Sequence, residues 1–447
     1  MPDGIGHMQP YLDQALDGAA SFAGAGTGWI DALRRAGADA YGAHGLPRRR
    51  DEYWRYTNLN ALVDGQFRLS TGAPAIGLPS LPHKSVAELA TYRVVVVNGQ
   101  LRPDLCALGG LPDDVLVAGL EDLLKAAPAR LEPYLGKLIR LADMPMAALN
   151  TAFLRDGMAV FVGDGIVLDK PVHLISITAP GETAMMVQPR HLVVMGKAAK
   201  ATLIETHITT AGGSSFNNIV AELHLDDAAE LNHFVFQEES RTTVHLSGTA
   251  VAMGANTTYD SFVLQSGAAI GRSEIHAYMN GPGGDCRLDG VYLATDKQVV
   301  DNTTFVEHAA PECRSRQVYK GVLDGQSRGV FQGKVHVKRD AQKTDGHQLS
   351  RALLLSPRAE IDARPELEIY ADDVKCSHGA TAGELDEDLM FYLLSRGIPR
   401  DQARRMLIEA FLSEAIAEIP LEQVADDFTT HVRQWLTKNV DAPQGQD

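Results

Sequence analysis

Cysteine is scarce: Cys106, Cys286, Cys313 and Cys376 are the only four in a chain of 447 residues, and no two form a C-x-x-C pair. That spacing excludes a disulfide framework and a self-contained structural zinc site, so a cysteine with a chemical role must find its partners in space or in another chain. Long hydrophobic runs are missing as well. Nothing approaches the ~20 consecutive apolar residues of a membrane span, and the longest β-branched run covers only residues 94–97. Positive charge is in the minority, with 41 Lys+Arg against 57 Asp+Glu and a net charge of −16. Nucleic acid and anionic membrane surfaces are therefore poor partners. Residues 1–20 contain no Lys or Arg and resemble neither a secretory signal nor a transit peptide, so a cytoplasmic location is expected.

The common catalytic signatures are absent too. Gly136-Lys137, Gly196-Lys197 and Gly333-Lys334 are not followed by Ser or Thr, so there is no P-loop and no nucleotide is expected on this chain. G-x-G-x-x-G after a strand, H-E-x-x-H and G-x-S-x-G are missing, which removes the usual signs of dinucleotide binding, zinc peptidases and α/β-hydrolases. His207, His224, His233, His245, His276 and His336 lie in strand-like runs, where hydrogen-bonded structural or surface roles are expected.

What is present is a globular composition, 45% hydrophobic and 22% charged, in three stretches of different periodicity. Residues 1–155 are mostly helical in pattern: Tyr11, Leu12, Ala15 and Leu16, then Val117, Leu120, Leu123 and Leu124, then Met146, Leu149, Phe153 and Leu154 recur at i, i+3, i+4. A strand-like run at residues 92–97 interrupts them. Residues 156–383 show short alternating or β-branched runs instead, at 159–162, 172–177, 191–195, 201–208, 219–225, 231–236, 257–264, 273–279, 291–293 and 329–337. A small or polar residue recurs at strand starts at Ala201, Ala229, Ala255, Asp285, Ser327 and Ala359, at irregular intervals. This suits a β-solenoid, with a β-sandwich pair as the competitor, and helical segments on either side would close the open ends of the stack.

Residues 384–447 return to helix. Asp386 reads as an N-cap, Gly397 as a left-handed helix end, and Pro399 as the first turn of the next helix. That helix carries Ala403, Met406, Leu407, Ala410 and Phe411 on one face, and a third helix carries Leu421, Val424, Phe428, Val432 and Trp435. Packing against the body competes with a partner groove as the use of these stripes.

One local constellation carries metal chemistry. In Lys375-Cys376-Ser377-His378 a last strand would project Cys376 and His378 from the same face. Thiolate and imidazole are good ligands for iron or zinc, but two ligands make half of a tetrahedral site. Lys375 and a protonated His378 would lower the thiol pKa. A cysteine-nucleophile hydrolase using Cys376 and His378 is one alternative reading, and a β-helix carbohydrate-active enzyme is another.

The run from Leu367 to Gly383, LEIYADDVKCSHGATAG, followed by FYLLSRGI at residues 391–398, resembles the C-terminal signature of the SufD family of the SUF iron–sulfur cluster assembly system. The likeness extends to Tyr319-Lys320, residues 329–335, 341–345 and 353–361, and to Glu52-Tyr-Trp-Arg-Tyr-Thr57 near the N-terminus. The paralogous SufB family resembles the same region but carries a Cys-Gly-Ala-His-Thr segment where this chain has Ala359, Glu360, Ile361 and Asp362, so the likeness is to the D-type subunit. The resemblance implies a mainly β protein, a right-handed parallel β-helix flanked by helical domains. It implies a non-catalytic scaffold that pairs with SufB through the β-helix and binds the SufC ATPase through its C-terminal helices, where Met406, Leu407, Ala410 and Phe411 become partner-binding candidates. A transient iron–sulfur cluster at the SufB–SufD interface would be met by His378, with Cys376 as its same-face neighbour. A homodimer in the absence of partners stays open.

Overall fold

The alternating runs of the central stretch pair into two parallel sheets, each strand lying one coil above its predecessor. The coordinates are a computed structural model describing residues 9–439 except 66, 82, 83 and 211. Of the N-terminal stretch read for targeting signals, residues 1–8 lie outside the described residues. About eight coils form a β-solenoid, with helices at both chain ends. Successive strands alternate between the sheets, so Lys200–Thr209, Glu230–Glu238, Thr258–Gln265, Asp285–Ala294, Arg314–Leu323, Thr344–Leu354 and Val374–Gly383 stack in one. Ser215–Leu225, Thr243–Met253, Ile270–Met279, Val299–His308, Arg328–Val337 and Glu360–Ile369 stack in the other. Inner strands are buried on both faces; every residue of Ile270–Met279 is buried, as expected of a parallel strand covered on each side.

In six successive coils the corner from the second sheet to the first holds one left-handed residue: Ala198, Ala228, Asn256, Gly283, Glu312 and Lys343, at intervals of 30, 28, 27, 29 and 31 residues. The irregular repeat in the sequence mixes two corners. Ala201, Ala229, Ala255 and Asp285 belong to this one, whereas Ser327 and Ala359 precede strands of the opposite sheet.

Strands from the N-terminal stretch join the stack. Tyr92–Val97 pairs parallel with Val172–Thr178, while Val115–Gly119 runs antiparallel to Met158–Val162. Val117, grouped by period with a helix, therefore sits in a strand, and the helix begins only at Leu120; pairing with Met158–Val162 decides its conformation over local periodicity. Leu101, Cys106, Leu108 and Leu111 pack on the lumen core and cover its N-terminal end.

The aromatic motif near the N-terminus fastens its segment to the outside of the second sheet. Trp54 lies 4.1 Å from the Arg272 guanidinium, which pairs with Asp301 at 2.5 Å and Glu274 at 3.0 Å. Thr57 donates to Asp301, and the Tyr53 carbonyl accepts from Arg272 and Gln332.

At the C-terminal end the expectation of a helical cap fails. The helices Arg400–Ile416 and Glu422–Asn439 turn back along the outer face of the first sheet and bury Ile408, Leu412, Phe428 and Val432 against Phe234, Phe236, Phe262 and Val291. The Phe428 ring is 4.2 Å from that of Phe236. Covering this apolar outer face removes more hydrocarbon from water than capping one coil would. Asp427 accepts from the backbone N–H groups of Ser85 and Val86, at 3.0 and 2.7 Å, and ties the last helix to the N-terminal part.

Candidate functional site

The last coil consists of Glu360–Ile369 and Val374–Gly383, each pairing on one side only among the described residues. Tyr370 and Glu360 donate their N–H groups back to the preceding coil. Alternate residues of a parallel strand address opposite neighbours, so the backbone groups of Ile361, Ala363, Leu367 and Ile369 face the free edge. Pro365 interrupts that row, a device that discourages indiscriminate edge pairing. Ile369 and Tyr370 are exposed beside it.

Cys376 and His378 stand on Val374–Gly383 two residues apart, on the lumen face expected from the pleat. Cys376 is half-buried over Gly346, and the column beneath continues through Ser315 to Cys286. Burial pushes its thiol up, and the Gly346 N–H only partly offsets this. That corrects the expectation of a lowered thiol pKa: Lys375 is on the opposite, exposed face of the strand and does not act on the sulfur. His378 is exposed and makes no hydrogen bond or ion pair with the described residues. It stacks over Gln348, which in turn lies over Gln317.

Among the described residues no group of three or more His, Cys, Asp or Glu is arranged to hold a metal ion. A metal at Cys376 and His378 would draw its remaining ligands from another molecule. Asp372 and Asp373 are exposed in the turn before the strand. The histidines of the strand-like runs have protein partners: His207 and His233 both bond Glu205, His245 pairs with Glu239, His224 meets the Tyr134 carbonyl, His276 bonds Glu274, and His336 pairs with Glu307. Although burial alone would push Glu274 up, Arg272 and His276 hold it at about 2.

The C-terminal helices carry a second surface. Asp386 caps Glu387–Ser395 through the N–H groups of Asp388 and Leu389, and Gly397 ends the turn at φ +80°. Of this helix only Met390 is buried, leaving Leu389, Phe391 and Tyr392 exposed, Phe391 by 73%. On the next helix Met406 and Ala410 are exposed, while Leu407 and Phe411 are half-buried. The Phe411 ring has Lys320 Nζ 4.8 Å from its centre. The candidate stripe thus spans two faces, because the inward face is Ala403, Ile408, Leu412, Ala415 and Ile416. Sequence reasoning passed over Leu389, Phe391 and Tyr392 as sites; their signal was adjacent aromatics on a short helix with one buried residue.

Residues 176–411 match the family described as SUF system FeS cluster assembly, SufBD core domain, and residues 8–174 match the SufBD protein N-terminal region. An iron–sulfur cluster assembly SufBD family protein of Synechocystis is 32% identical over 416 residues, covering 91% of each chain. The iron–sulfur cluster assembly protein SufD of Escherichia coli is 31% identical over 389 residues, 85% of this chain and 87% of that one. A SufBD family protein of Mycobacterium tuberculosis is 30% identical over 403 residues, with 88% and 89% covered.

Proposed function

Because this chain belongs to the SufBD family of iron–sulfur cluster assembly proteins, we propose that it is a cytoplasmic, non-catalytic scaffold subunit of the SufD type. It pairs with a SufB-type paralogue, binds a SufC-type ATPase, and presents His378 to a nascent iron–sulfur cluster at the paralogue interface. The observation that carries this reading is the last coil, uncapped among the described residues, which offers free strand edges, exposed Ile369 and Tyr370, and a C-x-H half-site at one end of the molecule.

The exposed His378 imidazole can bring a ring nitrogen to iron with little reorganisation. Cys376 is the weaker ligand, because its thiol must first lose a proton that burial retains. Exposed Leu389, Phe391 and Tyr392 give the ATPase an apolar surface on a helix that packs against Arg400–Ile416, which carries exposed Met406 and itself touches Asp285–Ala294 and Arg314–Leu323 of the first sheet. No helix among the described residues is long and apolar enough to cross a membrane.

The rival enzymes find less support. The carboxylates on the outer face of Glu360–Ile369 are engaged by basic side chains: Glu360 and Asp362 by Arg328, Glu366 by Arg364, and Glu368 by Lys334. A carbohydrate-active site needs uncommitted acids, and a nucleophilic cysteine needs a lowered pKa.

Co-expression with SufB- and SufC-type proteins of the same cell, followed by size-exclusion chromatography, tests the assignment. Co-elution of all three is expected. Failure to associate with either partner would overturn it.

A further inference from the structure

A buried polar column ends beneath His378. In the parallel register Gln317, Gln348 and His378 occupy one lumen position on three successive coils, about 4.8 Å apart. Gln348 is 3% exposed and Gln317 is fully buried. Thr304 donates its hydroxyl to Gln317 Oε1 at 2.5 Å, while Gln317 Nε2 and both amide atoms of Gln348 lack partners among the described residues. Room for the Gln348 amide exists because Gly333 faces it: a Cβ there would stand 2.9 Å from Gln348 Nε2. A buried amide without a partner carries an uncompensated desolvation penalty, which a hydrogen bond from the next rung would remove.

Thr304 fixes Gln317 Oε1 as an acceptor. The Gln348 amide is bonded to neither rung, its Nε2 lying beside Gly333, and His378 above it is likewise unbonded among the described residues. Amides stacked on successive parallel strands can bond along the stacking axis. We propose that Gln348 is the positioning residue of His378: by rotation of its side chain the unbonded Oε1 accepts the imidazole N–H and so fixes the tautomer whose other nitrogen presents a lone pair to the metal at the open end. Metal-binding histidines are commonly oriented in this way by a second hydrogen bond. The inference rests on the assignment of His378 to the cluster site.

The test is the tautomer of His378 at fixed pH, read from long-range proton–nitrogen correlation on the isolated, histidine-labelled chain, with His378→Ala to assign the signal. In the wild type one tautomer should dominate. Gln348→Leu should give a mixture, and Gln348→Glu, which keeps an acceptor, should restore the single form; Gln348→Met serves if the Leu variant does not fold. An unchanged tautomer in folded Gln348→Leu or Gln348→Met overturns the proposal. Iron in the co-expressed complex separates the two readings. A changed tautomer with undiminished iron upholds the positioning role and removes His378 from the cluster site, whereas lost iron in His378→Ala with an unchanged tautomer in Gln348→Leu does the reverse.

Discussion

Cys376 and His378 share one face of the last strand but not one environment: the thiol is half-buried over Gly346, and the imidazole stands exposed above Gln348. Burial raises the thiol pKa above its ordinary value. Alkylation of Cys376 should therefore stay slow at neutral pH and accelerate only above about pH 9. The measurement is the iodoacetamide rate against pH, with Cys376→Ser as background. A rate that levels off below pH 8 would mean an activated thiolate and revive the nucleophile reading.

Trp54 covers the Arg272 guanidinium at the junction of the N-terminal segment and the second sheet. Trp54→Ala should cost about 3–5 kcal/mol, seen as a lower midpoint in chemical denaturation. Trp54→Phe, which keeps a ring over the cation, should cost less. Equal losses in the two variants would show that the ring–cation contact contributes nothing.

Asp289 is pushed up to about 7 by burial, against the pull of Arg316 and Arg287, while its carboxylate accepts from the Val318 N–H. A folded pKa above the unfolded value of 3.8 means that the unfolded chain releases this proton first. The contribution of Asp289 to stability then falls as pH rises from about 4 through 7, by at most on the order of 1 kcal/mol per pH unit. Asp289→Asn keeps the acceptor and removes the titration. The variant should gain stability over the wild type between pH 5 and 7, measured as the difference in unfolding free energy. A difference independent of pH would contradict the shift.

Phe391 and Tyr392 lie on the exposed face of a helix that buries only Met390. Replacing both by Ala should change chain stability by less than about 0.5 kcal/mol. Affinity for the ATPase partner should fall at least about tenfold if they anchor the contact, as read by calorimetric titration. Unchanged affinity would move the docking surface elsewhere.

The strands were legible because alternation and β-branching mark them; residues 92–97 and most of the central runs coincide with strands. Their stacking order was not. The left-handed corner is occupied by Ala198, Ala228, Glu312 and Lys343 as well as by Asn256 and Gly283, and only Asn and Gly advertise that conformation. The route of the C-terminal helices was also hidden, since it depends on the apolar outer row of Phe234, Phe236 and Phe262, which looks like core in any strand. Cys376 and His378 stood out through their spacing and a family resemblance. Gln348 carries no motif, and its place under His378 exists only in the register.

The most direct measurement is iron and acid-labile sulfide in the purified complex of this chain with its SufB- and SufC-type partners, comparing wild type with His378→Ala. The variant should assemble to the same size and carry markedly less iron and sulfide. Equal loading in an intact complex would contradict the role given to His378.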